Sequence, residues 1–227
     1  MRLSIALCTY NGERYLQEQL DSILNQTILP DEVIICDDHS SDCTWSILEK
    51  FKLQAQFEVC LIQNVENVGS TANFAKAISL CSGDIIFLSD QDDVWLPQKI
   101  EKMANVFKTD QEVGMVFSDA CLTDEFLQPY SKSLWECIGF DSNIQNLCLS
   151  GKLWTVLAQE SYVTGATMVF RSKWKFLMYP FPSDWIHDEW ITFLIGLFSS
   201  IKTVPEQLIL YRQHSKQQIG IKIKSIL

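Results

Sequence analysis

The stretch Ile85-Ile-Phe-Leu-Ser-Asp-Gln-Asp-Asp-Val-Trp-Leu-Pro97 passes from an apolar run directly into three aspartates, Asp90, Asp92 and Asp93. The apolar run predicts a buried strand, and Pro97 begins a helical pattern. A strand that delivers carboxylates to a crevice suits a hard divalent cation, because such ions prefer oxygen ligands. Too few protein ligands are present for a complete cage, so we expect the phosphate oxygens of a substrate to supply the rest. The alternative is a solvated acidic turn that caps the following helix.

Strand and helix patterns alternate on both sides of this segment. Short apolar runs predict strands at Leu3–Cys8, Val33–Cys36, Phe57–Ile62, Ile85–Leu88 and Val113–Ser118. Apolar residues at helical spacing predict helices at Tyr15–Gln26, 45–51, Ser70–Cys81 and Pro97–Phe107. This order predicts an α/β fold of three layers, α/β/α, with a mostly parallel central sheet that helices cover on both faces.

The second half of the chain is less regular. Residues 120–160 mix aromatic and polar residues without a clean period, so we predict no element there. Val163–Phe170 is an apolar run interrupted by Gly165, Asp188–Leu197 predicts a helix, and Ile201–Arg212 alternates like a strand. A chain of 227 residues is expected to form a single domain.

Polar clusters follow the first four predicted strands. In a parallel sheet, ligands bind outside the carboxyl ends of the strands. The four clusters are therefore expected on one edge, where together they make a nucleotide-sized site plausible. They are Thr9–Glu13, Asp37–Asp42, Asn64–Ser70 and Asp90–Asp93.

Composition limits the possible partners and the compartment. The net charge of −10 argues against a nucleic-acid groove, and an acidic protein that handles an anionic nucleotide needs a metal to offset repulsion. The eight cysteines are scattered without a C-x-x-C motif, which favours reduced core residues of a cytosolic protein over a disulfide framework. The apolar run at the N-terminus is too short for a signal peptide, and we expect no membrane span.

Taken together, several short motifs resemble the family 2 glycosyltransferases, which are inverting enzymes with the A-type nucleotide-sugar fold. Within that family, the chain looks most like the bacterial rhamnosyltransferase-type members that build polysaccharides of the cell envelope. The order and spacing of the motifs carry the resemblance. They are Thr9-Tyr10-Asn11-Gly12, Asp37-Asp38-His39-Ser40, Asn67-Val68-Gly69, Asp90-Gln91-Asp92-Asp93, Thr164-Gly165, His187-Asp188-Glu189-Trp190 and Tyr211-Arg212-Gln213-His214.

The resemblance implies that residues 1–120 form the nucleotide-sugar half and residues 121–227 the acceptor half of one catalytic domain. It places Asp38 against a pyrimidine, whose N3–H can donate to a carboxylate. A turn built on Asn11-Gly12 and a helix cap at Asp38 are the structural alternatives. The residues that the resemblance assigns to the nucleotide are Thr9, Tyr10, Asn11, Glu13, Asp38, Gly69, Asp90 and Gln91.

The aspartate cluster corresponds to the D-x-D element that binds metal in this family. We favour Asp92 as the direct ligand of Mg²⁺ or Mn²⁺. Asp90 would then contact the ribose or support the metal ligands without touching the metal. The spacing of the aspartates does not decide which of them binds the metal directly. In related enzymes a histidine near the C-terminus approaches the metal or the diphosphate, so the resemblance adds His214. Arg212 could add positive charge there.

A general base is needed because a sugar hydroxyl is a poor nucleophile until its proton is removed. The resemblance assigns this role to Asp188, with Glu189 as the second choice. A carboxylate at the start of a helix is also favoured by the helix dipole alone. Thr164, Gly165, Glu189 and Trp190 are expected beside the acceptor, although Trp190 could equally be a core residue.

The resemblance implies a single displacement that moves a sugar from a dTDP- or UDP-sugar, with dTDP-rhamnose as the first choice. The acceptor would be a glycan or a lipid-linked sugar. A sugar nucleotidyltransferase and a non-catalytic glycan-binding or assembly protein are alternatives, and the missing G-x-G-x-x-G motif argues against an oxidoreductase. The basic tail, with Lys222 and Lys224 between isoleucines, predicts at most weak peripheral attachment to an anionic membrane.

Overall fold

The computed structural model describes residues 1–157, 160–215 and 217, and the strands in this part of the chain join one sheet. The strands are β1 (Leu3–Thr9), β2 (Glu32–Asp37), β3 (Glu58–Gln63), β4 (Ile85–Ser89), β5 (Val94–Trp95), β6 (Val113–Thr123), β7 (Pro129–Ser133), β8 (Met168–Arg171) and β9 (Ser200–Arg212). The helices are α1 (Leu16–Leu24), α2 (Thr44–Gln54), α3 (Ser70–Leu80), α4 (Lys99–Thr109), α5 (Leu134–Ile138), α6 (Ser142–Leu149), α7 (Trp154–Leu157), α8 (Lys175–Met178) and α9 (His187–Phe198).

The sheet order is β3-β2-β1-β4-β8-β6-β9-β5, with β7 paired to β6. Strands β1 to β4 pair in parallel, and β8 lies antiparallel between β4 and β6. Strand β6 therefore runs in the same direction as β4, and β9 is parallel to β6. The predicted α/β fold with a mostly parallel sheet is confirmed. Because β8 lies between β4 and β6, both halves of the chain contribute strands to the same sheet.

Burial explains why the first strands are easy to recognise in the sequence. Every residue of β1, β2 and β4 is buried, which requires cover on both faces of the sheet. Strand β3 lies at the edge, and Val59 is its one buried residue, while the others are partly or fully exposed. Helix α3 packs against β1 and β2, and α4 packs against β6 and β9. These contacts support the strand ends that carry the polar clusters.

The structure adds elements where the sequence predicts none. A hairpin formed by β6 and β7 leads into α5, which begins with a capping box in which Ser133 and Glu136 bond to each other's backbone N–H. Strand β5 is only two residues long, and it ties the segment after the aspartates to β9. The acidic loop is thus held at both ends by the sheet.

The expectation that the cysteines lie in the core is wrong for Cys43 and Cys60, because both are exposed. Cys60 lies on the edge strand β3, where one face is open to solvent. All eight cysteines are free thiols, and Cys8, Cys36, Cys81 and Cys148 are buried.

Within the described residues, no helix combines the length and the apolar character that crossing a bilayer requires. The basic segment that contains Lys222 and Lys224, on which we based the expected membrane attachment, lies outside the described residues.

Candidate active site

The carboxyl ends of β1, β2 and β4 open into one cavity of about 540 Å³. Its wall is formed mainly by the loops after β1 to β4, the start of α3, residues 164–165 and the start of α9. Most of the residues that the sequence predicts for the site line this cavity. They are Thr9, Tyr10, Asp38, Gly69, Asp90, Gln91, Asp92, Thr164, Gly165 and Asp188.

The loop after β1 is fixed to the acidic loop by Gln91. The backbone N–H of Tyr10 donates to Gln91 Oε1 at 2.8 Å, and Gln91 Nε2 donates to the Tyr10 carbonyl at 3.0 Å. A methyl group at Gly12 would overlap the Gln91 amide, so a larger residue there would displace this side chain. The Thr9 hydroxyl donates to buried Asp37 at 2.8 Å. The ring of Tyr10 is half exposed, so it is the side chain of this loop that is open to a ligand.

Asn11 and Glu13 lie outside the cavity lining and join two loops together. Asn11 has a left-handed backbone with φ of 47°, and its side-chain oxygen accepts from the Ser41 N–H at 2.9 Å. The Glu13 carboxylate accepts from the Cys43 N–H at 3.0 Å. Both side chains therefore hold the loop after β1 against the loop after β2.

Asp38 organises the third loop of the cavity wall. Its carboxylate accepts from Asn64 Nδ2 at 2.8 Å, from Val68 N at 2.9 Å and from Gly69 N at 2.9 Å. Gly69 itself has a φ of 86°, a backbone conformation that suits glycine. Asp38 is buried but lines the cavity, so it supports this loop and also presents an acceptor to a ligand.

Negative charge is concentrated at the end of β4. Removal from water, together with the nearby charges of Asp92 and Asp188, raises the pKa of Asp90 to about 7. Burial also raises the pKa of Asp93, whose Oδ1 accepts from the Arg212 N–H at 3.1 Å and whose buried Oδ2 has no partner in the described part of the chain. This excess of negative charge can be relieved by a bound cation.

Lys99 is a buried residue of the site that sequence reasoning missed. Its ammonium donates to the Ala166 carbonyl at 2.5 Å and lies 3.9 Å from the centre of the Trp95 ring. Burial lowers its pKa, and the charges of Asp93 and Asp90 oppose that shift. Its position at the first turn of α4, six residues after the pair Asp92-Asp93, was the available signal. Lys99 supplies positive charge from behind the aspartates.

Arg212 lies behind the acidic loop as well, and does not line the cavity. Its guanidinium donates to the carbonyl oxygens of Asp92 and Glu125, at 2.8 Å and 2.7 Å, and pairs with Glu18. These three contacts hold Arg212 in the protein wall, and its contribution of positive charge to the site stays a prediction.

His214 contacts Asp92 directly but, unlike Asp92, does not line the cavity. His214 Nε2 lies 2.8 Å from Asp92 Oδ2, and the ring packs 4.7 Å from that of Tyr15. Carboxylate and imidazole are ligands that suit Mn²⁺ or Mg²⁺ when substrate oxygens complete the shell. Within the described residues no group of three or more acidic, histidine or cysteine side chains could hold a metal alone. The residues thus fit a cation that is shared with a diphosphate.

Asp188 lies at the first turn of α9 and lines the cavity. Its Oδ2 accepts from the Gly165 N–H at 2.8 Å, and its Oδ1 accepts from the Glu189 N–H at 2.8 Å. Each oxygen keeps a lone pair, so the carboxylate is oriented without being fully occupied. Such a carboxylate can accept a proton from a hydroxyl group in the cavity.

Glu189 and Trp190 do not line the cavity. The indole N–H of Trp190 donates to the Met178 carbonyl at 2.9 Å, and its ring packs against Trp185. Burial, and then the charge of Asp188, raises the pKa of Glu189. Trp190 therefore packs α9 against the α8 segment, and the assignment of both residues to the acceptor stays a prediction.

Comparison with protein families gives a match over residues 4–155 to the model described as glycosyl transferase family 2. An uncharacterised glycosyltransferase of Nostoc sp. is 26% identical over 221 residues, which cover 94% of this chain and 65% of that protein. A dTDP-rhamnosyl transferase of Shigella flexneri is 37% identical over 99 residues, which cover 42% of this chain and 34% of that protein. The chain therefore spans less than two thirds of these relatives.

Solved structures share the fold. The S. aureus protein TarS (residues 1–349), in complex with UDP-GlcNAc, gives a TM-score of 0.69 at 18% identity, over 96% of this chain and 60% of that one. A mannosyltransferase of Pyrobaculum calidifontis, in complex with GDP-Man and Mn²⁺, gives a TM-score of 0.66 at 19% identity, over 97% of this chain and 58% of that one. At such identities the likeness concerns the fold alone.

Proposed function

The chain belongs to glycosyl transferase family 2, and on that premise we propose that it transfers a sugar from a nucleoside diphospho-sugar to an acceptor hydroxyl group. One observation supports this most directly: the carboxylates of Asp90, Asp92 and Asp188 line the same cavity of about 540 Å³. A cavity of this volume accommodates a sugar nucleotide. Asp90 and Asp92 lie at the end of β4, where they suit a cation that is bound with a diphosphate. Asp188 lies at the start of α9, where it suits a proton acceptor.

In this proposal Asp92 and His214 hold Mg²⁺ or Mn²⁺ together with the diphosphate. The cation supplies positive charge to the departing nucleoside diphosphate. Asp90 contacts the ribose or supports the metal ligands without touching the metal. The convergence of Asp92 and His214 within 2.8 Å supports this assignment, and so does the excess negative charge of the cluster.

We propose a pyrimidine nucleotide, dTDP or UDP, as the carrier. Asp38 lines the cavity and its carboxylate has capacity for a donor beyond the three N–H groups it already accepts. The N3–H of uracil or thymine is such a donor, and Tyr10 offers an exposed ring beside it. The Shigella relative is named for dTDP-rhamnose, and a TarS structure holds UDP-GlcNAc, so dTDP-rhamnose and UDP-sugars are the first donors to test.

Asp188 is the proposed general base. It takes the proton of the acceptor hydroxyl while the acceptor oxygen bonds to the anomeric carbon and the bond from that carbon to the diphosphate breaks. Because attack and departure occur on opposite faces, the configuration inverts. The backbone N–H groups of Gly165 and Glu189 keep the carboxylate in place. The acceptor, a glycan or a lipid-linked sugar of the cell envelope, would enter beside Thr164 and Gly165.

Titration calorimetry with UDP, dTDP, GDP and NAD, each with and without Mn²⁺, tests the donor site. We expect Mn²⁺-dependent binding of UDP or dTDP. Equal affinity without the metal, or preference for NAD, would contradict the proposal. Transfer or hydrolysis of the bound sugar would then separate an enzyme from a glycan-binding protein with the same fold, and a nucleotidyltransferase would instead release pyrophosphate from a nucleoside triphosphate.

Replacement of Asp188 by Asn tests the base. Asparagine keeps an oxygen for the Gly165 N–H but cannot take a proton, so kcat should fall at least about 100-fold. The affinity for UDP or dTDP with Mn²⁺ should stay within about twofold. The variant Glu189→Gln is the matched control and should keep most of the activity. Loss of transfer in E189Q with retention in D188N would move the assignment to Glu189.

A further inference from the structure

His187 opens α9, one residue before the proposed base, and its ring nitrogens have no hydrogen-bond partner in the described part of the chain. The ring is buried, with 5% of the residue exposed, yet it lines the cavity. Within the described residues, neither Nδ1 nor Nε2 has a hydrogen-bond partner. Buried polar atoms are normally paired, so this pair of orphaned nitrogens points to a partner that the protein itself does not supply.

The ring is held in one orientation by its neighbours. It stacks on Phe74 of α3 with ring centres 4.0 Å apart and planes 17° apart. A methyl group at position 165 would lie 3.0 Å from His187 Nε2, so any residue larger than glycine would crowd this nitrogen. Glycine at position 165 therefore avoids a tight contact with Nε2, which is itself buried.

The chemistry of the ring identifies its partner. Burial lowers the pKa of His187, so the imidazole is neutral at pH 7 and has one N–H donor and one bare acceptor nitrogen. A ligand group that pairs with either ring nitrogen must be able to accept from the N–H or donate to the bare nitrogen. A hydroxyl group can do both. A carboxylate or phosphate would match only the donor, and a methyl or methylene group would match neither.

We propose that His187 hydrogen-bonds a hydroxyl group of the transferred sugar and thereby selects the donor sugar. This inference rests on the proposed function, because the sugar must lie between the diphosphate near Asp92 and the base Asp188. His187 is next to that base and stacks on α3, which borders the nucleotide side of the cavity through Gly69 and Asn73. A site built to pair a hydroxyl group rejects a donor that lacks it.

The test compares His187→Phe and His187→Gln with the wild type. Phenylalanine keeps the stack on Phe74 and removes both nitrogens, whereas glutamine keeps a donor and an acceptor. Calorimetry in Mn²⁺ would give the Kd of UDP, UDP-glucose, UDP-GlcNAc, dTDP and dTDP-rhamnose for each protein. The control is Thr192→Val, which removes a hydroxyl that is equally buried in α9 but does not line the cavity.

We expect H187F to weaken binding of the preferred nucleotide sugar about tenfold while the Kd of the free nucleoside diphosphate stays within about twofold. H187Q should recover part of the loss, and T192V should show none. An equal change for nucleotide and nucleotide sugar would overturn the inference, and so would no change for either, as expected if only a water molecule pairs with the ring. If the wild type binds none of these ligands with Mn²⁺, the proposed function fails first and the inference falls with it.

Discussion

Replacement of Lys99 by Met isolates the buried cation behind the acidic loop. Methionine has a similar length and no charge, so the change removes the ammonium and leaves most of the apolar packing. The Ala166 carbonyl loses its donor at 2.5 Å, and Trp95 loses a cation 3.9 Å from its ring centre. The carboxyl groups of Asp90 and Asp93 lose the positive charge that opposes their raised pKa values.

The magnitude follows from these losses. A buried carbonyl without its donor costs about 1–3 kcal/mol, and a desolvated cation–π contact contributes about 2 kcal/mol. Methionine recovers part of this because the desolvation of the ammonium disappears. We therefore expect K99M to lower the free energy of unfolding by about 3 kcal/mol. For a chain of 227 residues this corresponds to a fall in Tm of at least about 6 °C.

Thermal and urea unfolding followed by circular dichroism would measure the effect. The control is Lys102→Met on the same helix, where a partly exposed lysine pairs with Glu206 at 3.2 Å. Such surface pairs contribute little, so K102M should change the free energy of unfolding by less than about 0.5 kcal/mol. If K99M is as stable as K102M, or more stable than the wild type, Lys99 does not compensate the aspartates and the account of the cluster is wrong.

Two further predictions concern the first loop and the far end of the sheet. Gly12→Ala displaces the amide of Gln91 and releases the loop after β1, so the Kd of UDP or dTDP with Mn²⁺, measured by calorimetry, should rise about tenfold. In a protein that already carries Gln91→Ala, the further change Gly12→Ala should leave this Kd unchanged. Although burial alone would raise the pKa of Glu32, hydrogen bonds from Ser4 and Ser82 lower it to about 2. Its stabilisation is therefore complete above its ordinary pKa near 4.5 and is lost as the pH falls toward 2. In urea unfolding, Glu32→Gln should have a free energy of unfolding about 2 kcal/mol below that of the wild type at pH 7. This is less than the pKa shift alone would give, because one end of the hydrogen-bond network is in solvent. A difference that stays the same at pH 2.5 would contradict the prediction.

Sequence reasoning succeeds where one local pattern decides the structure. Apolar runs with both faces covered identify β1, β2 and β4, and the polar residues after them mark the edge that holds the cavity. The two-residue strand β5 gave no such pattern, because its pairing with β9 depends on residues more than a hundred positions away. The region after β6 was unassigned for the same reason: α5 to α7 are short and take their stability from tertiary packing.

Within the site, residue identity was easier to predict than orientation. Asp92, Asp188 and Asp38 line the cavity as expected, whereas Trp190 and Arg212 turn into the protein. The sequence does not show in which direction an arginine or tryptophan side chain points. That direction is set by partners elsewhere in the chain, which are Met178 for Trp190 and Glu18 for Arg212. A sequence cannot show either that the His187 nitrogens lack a partner among the described residues, since that depends on which groups surround the ring in space.

The contacts around the cavity also bear on how the roles of its residues can be measured. Asp38, Gln91 and Asp188 each accept hydrogen bonds from the backbone of another loop. Deleting any one of them therefore releases a wall of the cavity as well as removing a side chain, and a fall in activity alone would follow from either cause. The two causes separate by kinetics, because a released loop weakens ground-state binding and raises KM, whereas a missing base lowers kcat at unchanged nucleotide affinity. Replacements that keep the bond between loops, such as Asn for Asp188, which can still accept from the Gly165 N–H, are therefore the ones that report on chemistry.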